Sequence, residues 1–336
     1  MKILQNISLK PFNTFGIDVR AKYFCQFDNT DELSEILLNN SEDSKLVLGG
    51  GSNVLFIKDI DGIVLKNEIK GIELIKEDAQ YVYIKAGAGE NWNRFVQYTL
   101  QRNWQGLENL SLIPGNVGAA PMQNIGAYGA EIKDFFYELE AFHLQEKKIF
   151  AFSLNDCAFS YRESVFKTKL KNKFVILNVT LRLNKSPKFN TSYGAINEEL
   201  DQMGVTELTA QKISLAVMNI RRSKLPDPAE IGNAGSFFKN PSVDIAEFDE
   251  LKKKFPAIIG HKNINGTVKL AAGWLIEQCG WKGFRRGDAG CHSQQALVLV
   301  NYGKATGKEI YDLSEEILQS VRKKFGVKLE REVNVI

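Results

Sequence analysis

The sequence predicts a mixed α+β protein of two or three domains, and three observations carry that prediction. The chain has 336 residues, and a single hydrophobic core rarely grows past about 250–300 residues. In the first half, short β-type runs enter glycine-rich loops, as where Lys45-Leu46-Val47-Leu48 meets Gly49-Gly50-Gly51. In the second half helical patterns recur. The clearest is the capping box Thr306-Gly307-Lys308-Glu309 ahead of inward Ile310, Leu313, Ile317, Val321 and Phe325.

Composition narrows the class. Apolar residues make up 44% and charged residues 25% of the chain, ordinary values for a globular protein. A net charge of +3 provides no basic field for nucleic acid, and no basic-aromatic cluster supports one. Cys25, Cys157, Cys279 and Cys291 are widely spaced with no CxxC pair. That spacing predicts reduced thiols in a cytoplasm and no metal site. Met1 to Asn6 has no signal-peptide apolar region, and no apolar run is long enough to span a membrane.

Taken in order, Leu9 to Gly16 reads as a turn-rich arm with two aromatics, packed on a core. Thr30-Asp31-Glu32 starts a helix whose stripe is Leu33, Ile36 and Leu37. The strand Lys45–Leu48 feeds Gly49-Gly50-Gly51-Ser52-Asn53, and Val54–Ile57 follows as a second strand. Bare backbone of this kind presents N–H groups to a phosphate; a plain hairpin is the other reading, although three glycines exceed what a turn needs. It is neither a Rossmann fingerprint, lacking the third glycine and the helix, nor a Walker A loop. Tyr81–Ile84 is a strand entering Ala86-Gly87-Ala88-Gly89-Glu90, and Trp92, Phe95, Val96, Thr99 and Leu100 then share one face of a helix. From Ile113 to Gly129 the chain is again bare and poor in charge, which suits the lining of a narrow cleft. Three such segments at strand and helix ends point to one extended, dinucleotide-sized cofactor.

Leu139–Leu144 and Lys148–Phe152 read as a hairpin, and Phe174–Leu183 as a strong strand. Between them Arg162 stands in Phe159-Ser160-Tyr161-Arg162-Glu163-Ser164, where an ion pair with Glu163 is the plain reading. Thr191-Ser192-Tyr193-Gly194 is a loop tip, either a turn or a flap that stacks on a base. Thr209 caps a helix with Ile213, Ala216, Val217 and Ile220 inside. The helix ends in Arg221-Arg222-Ser223-Lys224, cations that complement its dipole and lie where an anion could be met. In Gly232-Asn233-Ala234-Gly235-Ser236-Phe237-Phe238-Lys239-Asn240-Pro241 the Phe pair anchors the loop and holds Ser236 at a wall; a turn before a buried strand is the alternative.

Ser242–Phe255 and Leu270–Cys279 read as helices, the second buried and preceded by Lys269. Ala289–Gln295 leads into the strand Ala296–Val300, and His292 has no spacing that would build a triad. Gly326 ends the capped helix. Val327 to Ile336 alternates as a strand, which puts Glu332 on the solvated side with Lys328 and Glu330.

Taken as an ordered set, these segments resemble the UDP-N-acetylenolpyruvoylglucosamine reductase family, the flavoenzymes of peptidoglycan precursor synthesis. The resemblance spans nearly the whole chain. It rests on Asn13-Thr14-Phe15-Gly16, Leu48 to Asn53, Ala86 to Glu90, Leu110 to Gly115 and Gln123 to Gly129. Tyr161-Arg162, Lys224 to Pro228, Gly232 to Pro241 and Leu329 to Val333 complete it. The loop at Tyr193 is similar to the type I form. The resemblance implies an α+β fold with a vanillyl-alcohol-oxidase (PCMH)-type FAD-binding part of two subdomains, residues 1–70 and 71–205, the tyrosine loop lying near 190–195. A C-terminal α+β substrate-binding domain, 206–325, and a terminal strand, 326–336, would follow.

It also implies non-covalent FAD, NADPH as hydride donor and UDP-N-acetylglucosamine enolpyruvate as substrate, in a cytoplasmic monomer. Arg162, Ser236 and Glu332 are the implied catalytic residues. Cofactor binding falls to Gly49, Gly50, Gly51, Ser52, Asn53, Pro114, Gly115, Gly118, Ala119, Gln123, Asn124 and Gly126. Substrate binding falls to Tyr128, Tyr193, Arg221, Lys224, Asn240 and Gln294, with Lys269 as a further contact. Hydride adds to C3 of the enol ether and charge develops on the carboxylate, where Arg162 and a protonated Glu332 would stabilise it; Ser236 would protonate C2. Two rivals remain: another FAD-dependent oxidoreductase of this fold, and a sugar-nucleotide-binding protein without redox work.

Overall fold

A computed structural model describes residues 2–40, 44–263 and 265–336. The chain divides into two compact units. The first holds the residues up to Ile7, Ala21–Gly51 and Ile60–Ser223; the second holds Ser8–Arg20, Ser52–Asp59 and Lys224–Ile336. This division differs from expected boundaries at 70, 205 and 325. Two early segments are built into the second unit, and the helix Ala210–Lys224 belongs through Ser223 to the first. The reason for the latter is a shared core: Ile213, Ala216, Val217 and Ile220 pack with Ile196 and Leu200 of the helix Gly194–Gln202.

The first unit contains a four-stranded sheet in the order Leu4–Ser8, Arg20–Phe27, Ile60–Asn67, Lys45–Leu48. The last three are parallel, so crossovers must join them. One is the helix Thr30–Asn39, capped by Asn29, whose side chain accepts the Glu32 N–H at 2.9 Å. Its stripe of Leu33, Ile36 and Leu37 is fully buried against Cys25, Phe27, Ile63 and Leu65. A five-stranded antiparallel sheet follows, in the order Ile149–Ser153, Phe136–His143, Phe174–Asn184, Tyr81–Gly87, Ile72–Glu77. The helix Trp92–Gln101 lays Trp92, Phe95, Val96 and Leu100 into the core of this part.

The second unit has an antiparallel sheet in the order Gly232–Ser236, Val298–Asn301, Ala289–Cys291, Arg285–Arg286. Three shorter antiparallel strands, Ser242–Asp244, Thr267–Leu270 and Gly260–Lys262, form another. The helix Gly307–Phe325 opens on the expected box: Glu309 N–H donates to Thr306 Oγ1 at 3.2 Å, and Thr306 N–H donates to Glu309 Oε2 at 2.7 Å. It closes at Gly326, whose φ of 76° is left-handed.

Three sequence expectations are corrected. Ser242–Phe255 is not one helix. Ser242, Val243 and Asp244 pair with Lys269, Val268 and Thr267, and the helix runs Ile245–Lys254. Leu270 likewise ends a strand, so the buried helix is shorter, Ala272–Gln278. Val327 to Ile336 alternates as expected in burying Val327, Leu329 and Val333. Only Asn334–Val335 forms a regular ladder, in parallel with Val54–Leu55. That pairing also removes the hairpin reading of the glycine triplet: the strand before it pairs with Ile63–Lys66, the strand after it with 334–335.

Candidate active site

In the first unit the three glycine-rich segments converge. A Cβ on Gly50 would stand 2.9 Å from both Asn116 Oδ1 and Gly115 Cα, and one on Gly118 would stand 2.5 Å from the Ala88 side chain. Only glycine permits that approach of main chain to main chain. Cross-links fix it: Asn116 Nδ2 donates to Gly89 O at 2.9 Å, Gly118 N–H to Ala88 O at 2.9 Å and Val117 N–H to Glu90 O at 2.8 Å. The N–H groups of Gly50, Gly115 and Asn116 take no partner among the described residues. Adjacent, partly accessible N–H groups of this kind form an anion-binding concavity. FAD is the group the fold implies, and these residues fit its pyrophosphate.

A second cluster of the first unit gathers Arg162, Arg221, Tyr128 and Tyr193. Arg162 Nη2 donates to Gly126 O at 2.7 Å, and Arg221 Nε donates to Leu112 O at 3.2 Å. Burial pushes the Arg221 guanidinium below its ordinary pKa; Tyr128 opposes that shift and the charge of Arg162 adds to it. Burial also raises the Tyr128 phenol, whose ring meets Tyr193 edge-on at 5.3 Å. Arg221 forms no ion pair among the described residues, so two mutually repelling guanidiniums sit here without a carboxylate on Arg221.

The backbone around them is strained. Leu112 (φ 59°), Asn124 (φ 44°), Tyr128 (φ 49°) and Arg162 (φ 56°) are all left-handed, at a cost of about 1–3 kcal/mol each. Asparagines hold that strain in place. Asn109 Nδ2 donates to the carbonyls of Tyr128 and Asn190, both at 2.8 Å, and Asn190 Nδ2 donates to Gly129 O at 3.0 Å. Asn124 Nδ2 donates to Glu131 Oε2 at 2.9 Å and Ser160 O at 3.0 Å. Sequence reasoning missed Asn109 and Asn190; their positioning role depends on residues 19 and 61 to 81 positions away, which no local pattern reports.

In the second unit Ser236 sits at a bulge of the edge strand, opposite Val298. Gly235 (φ 69°) makes the bend, its N–H held by Asn233 Oδ1 at 2.9 Å. Phe237 and Phe238 are fully buried, as expected, and Phe15 meets Phe237 edge-on at 6.1 Å. Glu332 is paired with Phe237, the residue after Ser236: its N–H donates to Phe237 O at 2.8 Å. Lys224 and Gln294 are exposed, Asn240 spends Oδ1 on the Ala272 N–H at 3.0 Å, and Lys269 lies in the three-stranded sheet. Gln295 rather than Gln294 turns inward, Oε1 accepting the Leu297 N–H at 3.4 Å. His292 lies in the cross-strand row of Ser236 and Val298, its N–H bonded to Val298 O at 2.9 Å. Its Nδ1 is buried without a partner, and burial pushes its pKa down. Among the described residues no group of three His, Cys, Asp or Glu could hold a metal, and no helix is long and apolar enough to cross a membrane.

Comparisons with known proteins match both parts of the chain. Residues 227–336 match the family described as "UDP-N-acetylenolpyruvoylglucosamine reductase, C-terminal domain", and residues 21–145 match "FAD binding domain". Proteins named UDP-N-acetylenolpyruvoylglucosamine reductase from Flavobacterium johnsoniae and Amoebophilus asiaticus are 50% and 51% identical to this chain. Each alignment covers 100% of both sequences. A crystal structure of such a reductase from Thermus caldophilus superposes with a TM-score of 0.71 at 24% identity, covering 100% of this chain and 99% of that one. The named relatives and the FAD-binding-domain match define an FAD-dependent oxidoreductase, and the superposition agrees with the fold expected above. Within that class, the chain belongs to the UDP-N-acetylenolpyruvoylglucosamine reductase family.

Proposed function

We propose that the protein reduces UDP-N-acetylglucosamine enolpyruvate to UDP-N-acetylmuramate, using NADPH, in peptidoglycan precursor synthesis. The observation that carries the reading is Arg221, which forms no ion pair among the described residues and stands close enough to Arg162 for the two charges to repel. Two like charges kept close at an energetic cost are relieved by an anionic ligand, and this substrate carries a carboxylate and a diphosphate.

Non-covalent FAD, which the residues of the glycine cradle would hold, would supply to C3 of the substrate the hydride that NADPH provides. The residues of the chain do the rest. The N–H groups of Gly50, Gly115 and Asn116 hold the cofactor pyrophosphate. Arg162 donates a fork of hydrogen bonds to the substrate carboxylate as charge develops there. Glu332, carrying a proton, adds a donor to the same oxygens. Ser236 gives its proton to C2, so C3 gains the hydride and C2 the proton. Tyr193 and Lys224 take the uridine diphosphate, with Tyr128, Arg221, Asn240 and Gln294 as further contacts. The enzyme acts as a cytoplasmic monomer.

The test is an anaerobic spectrum. Protein purified with FAD is expected to bleach with NADPH and to recover its colour when UDP-N-acetylglucosamine enolpyruvate is added. A protein that bleaches and stays bleached has another electron acceptor; one that never takes up FAD is a binding protein.

A further inference from the structure

Both main-chain polar groups of Glu332 are occupied, and they are held by two different segments of the chain. The N–H donates to Phe237 O at 2.8 Å. The carbonyl accepts from Asn53 Nδ2 at 3.4 Å. On the first side the contact continues through the Phe238–Arg331 bridge and the bond from Lys239 N–H to Glu330 O at 2.9 Å. On the second side Asn334 pairs with Val54 and Val335 with Leu55. Ile336 N–H donates to Leu55 O at 3.0 Å, and Ile57 N–H donates to Ile336 O at 2.8 Å.

That parallel ladder begins at Asn334 and does not reach Glu332. Asn53 extends it. While its side chain reaches back to the Glu332 carbonyl, its own carbonyl accepts two bonds from Asn334, from N–H at 3.2 Å and from Nδ2 at 2.9 Å. The turn after the glycine triplet and the stretch carrying Glu332 are therefore clamped by a reciprocal pair of asparagines.

We infer that Asn53 is a positioning residue for Glu332 and that Asn334 locks it in place. The inference rests on the proposed role of Glu332. A glutamate acting at the end of a long side chain is only as well aimed as the backbone that carries it, and a misplacement of about 1 Å can lower a rate about 10²-fold.

The test variant is Asn334→Ala, which lies outside the residues assigned to cofactor or substrate. Loosening the clamp is expected to speed deuterium exchange at the Glu332 amide about tenfold or more, with or without bound FAD. In the flavin-loaded enzyme, bleaching by NADPH should be unchanged. The limiting rate of colour recovery should fall about tenfold, at an unaltered half-saturating substrate concentration. Asn53→Asp, which keeps the shape and removes the donor, should reproduce the faster exchange. Wild-type exchange in both variants overturns the clamp. Faster exchange with an unchanged recovery rate, or a change in half-saturation alone, overturns the positioning role. Should the unaltered protein neither bleach nor recover, the functional reading fails, and the exchange experiment still decides the clamp.

Discussion

The two units hold their functional groups by opposite means. Around Arg162 and Arg221 the first unit uses irregular, left-handed backbone, pinned by the side chains of Asn109, Asn124 and Asn190. Around Ser236 and Glu332 the second unit uses strand-like pairing, in which main-chain groups of 237–239 and 330–332 hold one another. Side-chain pins allow a shape that no ladder would produce, and each pin can be removed singly. Main-chain pairing is robust to substitution but limits geometry to what strands allow.

The comparison can be broken most strongly at its chemistry. Ser236→Ala should slow flavin recovery by substrate about 10²–10⁴-fold, measured by stopped flow after reduction with NADPH. Slowing of the reduction alone would remove Ser236 from the proton-donor role. Arg162→Lys should cost about 10²-fold in the same step, because an ammonium cannot reproduce the guanidinium fork. Equal rates for Lys and Arg would reduce Arg162 to a point charge.

Next in size is a pin. Asn109→Ala removes two part-buried hydrogen bonds and takes the donor from two carbonyls. It should destabilise the protein by about 2–4 kcal/mol, read in urea unfolding, whereas Asn334→Ala in the second unit should lose less. Gly50→Ala forces a Cβ onto main chain and should weaken FAD retention by about 1–3 kcal/mol, measured by titrating apoprotein with FAD.

The smallest effects contrast the units by sign. Burial raises the pKa of Glu108 in the first unit and lowers that of His292 in the second. The Glu108 contribution to stability is complete below the ordinary carboxylate pKa and is lost as pH rises through the folded value. That of His292 is complete above the ordinary imidazole pKa and is lost as pH falls through the folded value. Glu108→Gln should therefore stabilise the protein on the alkaline side, and His292→Gln should flatten the acid side, both seen in melting temperature against pH. The same sign for both would contradict the burial argument.

How legible this was follows the same division. The Thr306 box and the helical stripe of Leu33, Ile36 and Leu37 are local signals, and their physical cause lies within a few residues. Each has its expected counterpart in the structure. Ser242-Val243-Asp244 misled because a strand of three residues is defined by its partner at 267–269, not by its own pattern. Asn109 and Asn190 were invisible for a related reason: a hydrogen bond between residues 81 positions apart leaves no trace in periodicity. Glu332 read as solvated from its alternation; its position beside Phe237 is a tertiary fact.

The early segments that belong to the second unit have a consequence for biosynthesis. Asn53 leaves the ribosome 279 residues before its partner Glu332. At about 5–20 residues per second that is a wait on the order of 15–60 s. During this interval residues 52–59 have no ladder to join, although the first unit has all its strands and helices once the chain has been made through Ser223. Translation speed across the last third of the message thus sets how long that stretch stays open to chaperones or to mispairing.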